Sequence, residues 1–124
     1  MNTPFNTDTI CAPATAVGGA LAIIRVSGSQ ALPIVSTLCP LCCDTFAANT
    51  THFTHLVEYD AVSQHPQHPL PIDEALITIF RAPHSYTGED SVEISCHGSR
   101  YIINKVPELL VQAGCRMANP GELT

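Results

Sequence analysis

Over Ser91–His97 the chain alternates without a break: Val92, Ile94 and Cys96 hold one phase, and Ser91, Glu93, Ser95 and His97 the other. Successive side chains of a strand point to opposite faces, so this segment belongs in a sheet with one buried face. The same period recurs in residues 53–59, where Phe53, His55, Val57 and Tyr59 alternate with Thr54, Leu56 and Glu58. It recurs again in residues 72–80, where Ala75, Ile77 and Ile79 alternate with Leu76, Thr78 and Phe80. Between these two, residues 62–70 are rich in His, Pro and Gln and read as an exposed hairpin loop. Near the N-terminus, residues 9–14 read as a short strand, Gly18-Gly19 as a turn, and residues 20–26 as an apolar run. Such a run is the pattern of a strand covered on both faces.

Two stretches follow a helical spacing instead. Leu32, Val35 and Leu38 predict a helix over residues 30–38, capped by Ser27 or Ser29, with Pro33 tolerable only in its first turn. Gly98-Ser99 opens a second helix over Arg100–Gln112, with Ile102, Val106, Leu109 and Leu110 on its buried stripe. Pro107 predicts a kink or break in it, Gly114 is a natural C-cap, and residues 115–118 form a last strand. Residues 39–51 read as loop, and residues 82–90, with Pro83 and Gly88, as a structured connection. The order β-β-α-β-β-β-α-β predicts an α+β fold, a mixed β-sheet with two main helices.

At 124 residues there is room for one core and no second. We expect one domain over residues 1–118, with Asn119-Pro120-Gly121-Glu122-Leu123-Thr124 beginning a linker to a missing region. Eleven carboxylates against five bases leave a formal charge of −6. Nucleic-acid binders draw most of their affinity from neutralising phosphates, so direct capture of RNA or DNA by this chain is not expected. The N-terminus has neither a basic nor an apolar leader segment, and Arg25 interrupts the most apolar stretch. No membrane association is therefore expected, and the six cysteines read as reduced, cytoplasmic thiols.

Cys39-Pro40-Leu41-Cys42-Cys43 offers half of a tetrahedral zinc site, but no second closely spaced pair completes it, so no metal is assigned. The six histidines form no paired-ligand motif; His97 ends a strand, where a backbone hydrogen bond is the simplest role. Neither a nucleotide-binding glycine loop nor a nucleophile elbow is present, so no catalytic residue is assigned and no triphosphate hydrolysis is expected of this chain alone. Two charges fall where charge is costly. Arg25 interrupts one strand and Glu93 another. Either they form a structural salt bridge, with each other or with Asp73 and Glu74, or they line a small-molecule pocket offering one carboxylate and one guanidinium.

The residues around those charges carry a resemblance. Asp8-Thr9-Ile10-Cys11-Ala12 and Gly19-Ala20-Leu21-Ala22-Ile23-Ile24-Arg25-Val26-Ser27-Gly28 resemble the start of the tRNA modification GTPases of the MnmE/TrmE family. Arg81-Ala82-Pro83-His84-Ser85-Tyr86-Thr87-Gly88-Glu89-Asp90-Ser91-Val92-Glu93-Ile94, Cys96-His97-Gly98 and the closing Pro120-Gly121-Glu122-Leu123-Thr124 are similar to that family's later segments. The family's Pro-Pro-Gly turn before the second strand is replaced here by Thr15-Ala16-Val17-Gly18.

The resemblance implies a tetrahydrofolate-binding fold like that of the glycine-cleavage aminomethyltransferase. By position it implies that Arg25 and Glu93 contact a 5-formyl- or 5,10-methylene-tetrahydrofolate, and that this domain forms a homodimer. It implies a parent protein that binds GTP, magnesium and potassium outside this fragment. With an FAD-dependent partner, that parent modifies carbon 5 of the wobble uridine in certain tRNAs. Two alternatives remain open at this level: a purely structural dimerisation module, and a small zinc-binding adaptor through Cys39, Cys42 and Cys43.

Overall fold

The computed structural model describes residues 8–14, 20–40, 46–58, 70–81 and 89–119. In chain order these form β1 (Ile10–Pro13), β2 (Leu21–Ser27), α1 (Ala31–Ser36), β3 (Thr50–Glu58), β4 (Leu70–Phe80), β5 (Ser91–His97), α2 (Arg100–Gln112) and β6 (Arg116–Met117). The expected element order and the α+β class both hold. The strands make one six-stranded sheet ordered β3-β4-β5-β2-β1-β6. All neighbours are antiparallel except β1 and β6, which run parallel, so the sheet is mixed.

One face of the sheet carries the core. Ala22, Ile24 and Val26 of β2, Ala75, Ile77 and Ile79 of β4, and Val92, Ile94 and Cys96 of β5 are all buried. They share one cluster with Leu32 and Val35 of α1 and with Ile102, Val106 and Leu110 of α2. Burying such side chains contributes about 1.5–3 kcal/mol each, which is what holds both helices to the sheet. The opposite phase is open. Leu21 is 65% exposed, and Ile23 and Arg25 are half-buried, so β2 is covered on one face rather than two.

Several boundaries moved. β3 starts at Thr50 rather than Phe53, and a bulge between Leu56 and Val57 lets both of those residues be buried. Helix α1 is shorter than expected, and neither Ser27 nor Ser29 caps it. Gln30 is its N-cap residue without a side-chain cap, and its backbone N–H donates to Thr9 Oγ1 at 3.0 Å. Ser27 belongs instead to β2. Pro33 falls in the first turn, as its missing N–H requires.

The serine that does cap a helix is Ser99, whose Oγ accepts from the Ile102 N–H at 3.2 Å. The break expected at Pro107 is absent: α2 is continuous through it, and the buried face that includes Pro107 holds the turn in place. Gly114 follows the helix with φ 124°, a conformation that favours glycine. The last strand is only Arg116–Met117. Of the loop expected over residues 62–70, Leu70 instead opens β4, while residues 62–69, most of the connection at 82–90, and residues 120–124 of the linker expected over 119–124 lie outside the described residues. Among the described residues no helix is long and apolar enough to cross a membrane.

Candidate functional site

Arg25 and Glu93 are direct cross-strand partners in the pairing of β2 with β5. Each stands in the strand phase opposite the buried one, so the pair lies on the side of the sheet away from the helices. Arg25 donates from Nε at 3.0 Å and from Nη2 at 2.5 Å, both to Glu93 Oε2. Their side chains remain 24% and 18% exposed, so the pair is neither buried nor fully solvated. Of the partners open to Arg25 in the sequence, Glu93 takes it. Asp73 is engaged by His97, and Glu74 lies 3.9 Å from His55.

The surroundings of the pair follow from register. Ala12 is opposite Arg25, Thr78 is opposite Glu93, and Thr51 is opposite Thr78, with the two threonine hydroxyls 3.1 Å apart. One pleat along the sheet, Ile23, Ser95, Leu76 and Phe53 form a parallel row. Leu76 is 46% and Phe53 58% exposed. The outer face is thus a charged and hydroxylic row beside an apolar one. The grooves along α2 are elsewhere: one involves Pro13, Pro107, Val111 and Met117, another Leu38, Val57 and Leu109, and neither includes Arg25 or Glu93. Among the described residues the candidate site is an open shelf.

His97 does not bond to backbone as expected. Its Nδ1 is 2.7 Å from Asp73 Oδ1, and its backbone N–H donates to Asp73 Oδ2 at 2.8 Å. One carboxylate therefore holds both the strand end and the ring. Asp73 also acts on Cys96, whose thiol is pushed up to about 11 first by burial and then by the nearby negative charge. That thiol is protonated and inert at neutral pH. Cys11 and Cys115 share a thiol hydrogen bond that draws the Cys11 pKa down and, with burial, drives that of Cys115 up.

Cys39 is buried, with its Sγ 3.5 Å from the Val35 carbonyl. Cys42 and Cys43 lie outside the described residues, and among the described residues no three His, Cys, Asp or Glu side chains group as they would around a metal. Sequence reasoning missed Asp73 as the group that positions His97, and missed the adjacency of Phe53 with Leu76. Both depend on strand register, which no local pattern encodes.

Chemically, the pair offers an asymmetric receptor. Arg25 Nε and Nη2 both donate to the same oxygen of Glu93, Oε2. A carboxylate held in this way can accept from a ligand N–H while Arg25 keeps its charge compensated.

The sequence pattern of the family described as "GTP-binding protein TrmE N-terminus" matches residues 9–124. The "tRNA modification GTPase MnmE" of Bacteroides thetaiotaomicron is 48% identical over 121 residues, covering 97% of this chain and 25% of that protein. The protein of the same name from Christiangramia forsetii is 47% identical over 119 residues, covering 94% of this chain and 24% of its own length. That of Flavobacterium johnsoniae is 40% identical over 125 residues, with 97% and 25% covered. The chain spans about a quarter of the length of these curated relatives. It belongs to the MnmE/TrmE family of tRNA modification GTPases, as their TrmE N-terminal domain.

Proposed function

We propose that this chain is the tetrahydrofolate-binding and homodimerising domain of a GTPase that modifies carbon 5 of the wobble uridine in certain tRNAs. Residues 1–118 form that domain and residues 119–124 lead out of it. The observation that carries the reading is the Arg25–Glu93 pair on the sheet face opposite the helices, with both donations meeting Glu93 Oε2. A pterin presents a ring N–H and an amino group side by side, the donor edge that a carboxylate accepts. Arg25 then meets a carbonyl or anionic part of a 5-formyl- or 5,10-methylene-tetrahydrofolate. The fold, in this reading, is the one shared with the glycine-cleavage aminomethyltransferase.

An open shelf with exposed Leu21, Phe53 and Leu76 supports completion of the site by other protein, which in this reading is a second copy of the domain. GTP, magnesium and potassium belong to another domain of the parent, and an FAD-dependent protein is its partner in the cytoplasm. The excess of carboxylates, eleven against five bases, supports a tRNA grip located elsewhere.

Calorimetry of 5-formyltetrahydrofolate against the full-length protein carrying this domain tests the assignment. Glu93→Gln removes the charge-assisted bonds while keeping the shape, so affinity should fall about tenfold to a hundredfold, from about 1.5–3 kcal/mol per such contact. Unchanged affinity in Glu93→Gln would remove the pterin role and leave the pair as a structural salt bridge of a dimerisation module.

A further inference from the structure

His97 ends β5 in the same strand phase as Glu93 and Ser95, so it stands on the sheet face away from the helices. One carboxylate holds it. Asp73 Oδ2 accepts the His97 backbone N–H at 2.8 Å, and Oδ1 lies 2.7 Å from the ring Nδ1. An ionised carboxylate only accepts, so Nδ1 carries the proton and Nε2 of the neutral ring is left as an acceptor. Among the described residues Nε2 has no partner. The two side chains also differ in exposure, Asp73 at 12% and His97 at 63%. The carboxylate is thus a fixed strut, and the ring it holds is presented outward.

Spacing relates this ring to the Arg25–Glu93 pair. Glu93 and His97 are four residues apart on one strand, which separates them by about 13 Å at about 3.3 Å per residue. Between them runs the row of Ser95, Leu76 and Phe53. A tetrahydrofolate measures roughly 9 Å from the amino edge of its pterin to the bridging nitrogen N10, at bond lengths of about 1.3–1.5 Å. With a hydrogen bond of about 2.9 Å at each end it spans the gap, its ring face over the apolar row.

From this spacing we propose that His97 is a second ligand contact on the shelf, its Nε2 accepting from the N10–H of a folate whose pterin meets Glu93. Asp73 is its positioning residue. The inference rests on the folate reading of Glu93 and narrows it. Folates substituted at N5 alone keep the N10–H and are favoured, whereas those substituted at N10 have lost it. Of the two folates in that reading, the 5-formyl compound carries this donor and the 5,10-methylene compound does not. An acceptor left facing a ligand without a donor is costly, which makes the contact selective.

Calorimetry of the full-length protein with 5-formyl- and 10-formyltetrahydrofolate, under anaerobic conditions, tests this. His97→Asn keeps an amide nitrogen at the place of Nδ1, and with it the bond to Asp73, while removing Nε2. It should weaken the 5-formyl compound about tenfold, the worth of one neutral hydrogen bond, and should not weaken the 10-formyl compound. Asp73→Ala frees the ring to turn and should erase the same preference. Glu93→Gln, by contrast, should weaken both compounds alike, because both carry the pterin edge. Unchanged 5-formyl affinity in His97→Asn, or an equal loss for both compounds, would overturn the His97 contact, while the Glu93→Gln result decides the folate reading by itself. Binding of neither compound by the parent protein would overturn both.

Discussion

Glu93 is the residue on which the functional account turns, and its position was legible because a carboxylate inside an alternating strand is costly without a partner. That the partner would be Arg25 was not legible, since the choice among Glu93, Asp73 and Glu74 depends on the register of β2 against β5. His97 shows the same limit. Its Asp73 partner is twenty-four positions away, and only strand pairing brings them together. Gly28 carries a sharp backbone constraint. At φ 143° a Cβ would stand 2.6 Å from the Thr9 Cα, so backbone would have to shift. Gly28→Ala should cost about 2–3 kcal/mol in a urea unfolding experiment, from left-handed strain plus the close approach. Cys96 predicts an alkaline effect. Its folded pKa of about 11 exceeds the ordinary 9.0, so above pH 9 the unfolded state ionises first and gains stability relative to the fold. Its contribution is intact below pH 9 and lost between pH 9 and 11, and Cys96→Ala should show a smaller fall in melting temperature across that window than the parent chain.

At the scale of elements, strands with clean alternation were read correctly because burial on one face imposes a period of two. β5 and α2 match their expected bounds, while β2 misled. Its apolar run implies two covered faces, yet the helices cover only one, and Leu21 and Ile23 are left on the outer side. Capping was half legible. Gly98-Ser99 opens α2 as expected, the Ser99 side chain proves to be its cap, and Ser99→Ala should cost about 1 kcal/mol by thermal denaturation. The N-terminus of α1 instead borrows the hydroxyl of Thr9, the residue before β1, which no local rule anticipates. Pro107 lies within a continuous helix, on its buried face. Pro107→Ala restores a helical N–H worth up to about 3 kcal/mol in propensity and loses roughly half of that in burial. A net gain of about 1 kcal/mol in stability is expected, and a net loss would show that the ring packing dominates.

At the scale of the whole molecule, the described residues make a one-sided sandwich: two helices on one face of a six-stranded sheet, and on the other a shelf of charge, hydroxyls and exposed Leu and Phe side chains. Sedimentation equilibrium should give about twice the 13.2 kDa chain mass if that face is completed by a second copy, and charged substitution of Phe53 and Leu76 together should return the monomer. The central claim is that Arg25 and Glu93 serve a folate and not merely each other, and exchanging the two charges separates these roles. In the full-length protein, the Arg25→Glu/Glu93→Arg variant keeps an ion pair in place and should melt close to the parent without ligand. Saturating 5-formyltetrahydrofolate should raise the melting temperature of the parent and leave that of the exchanged variant unmoved. An equal rise in both, or none in the parent, would contradict the account.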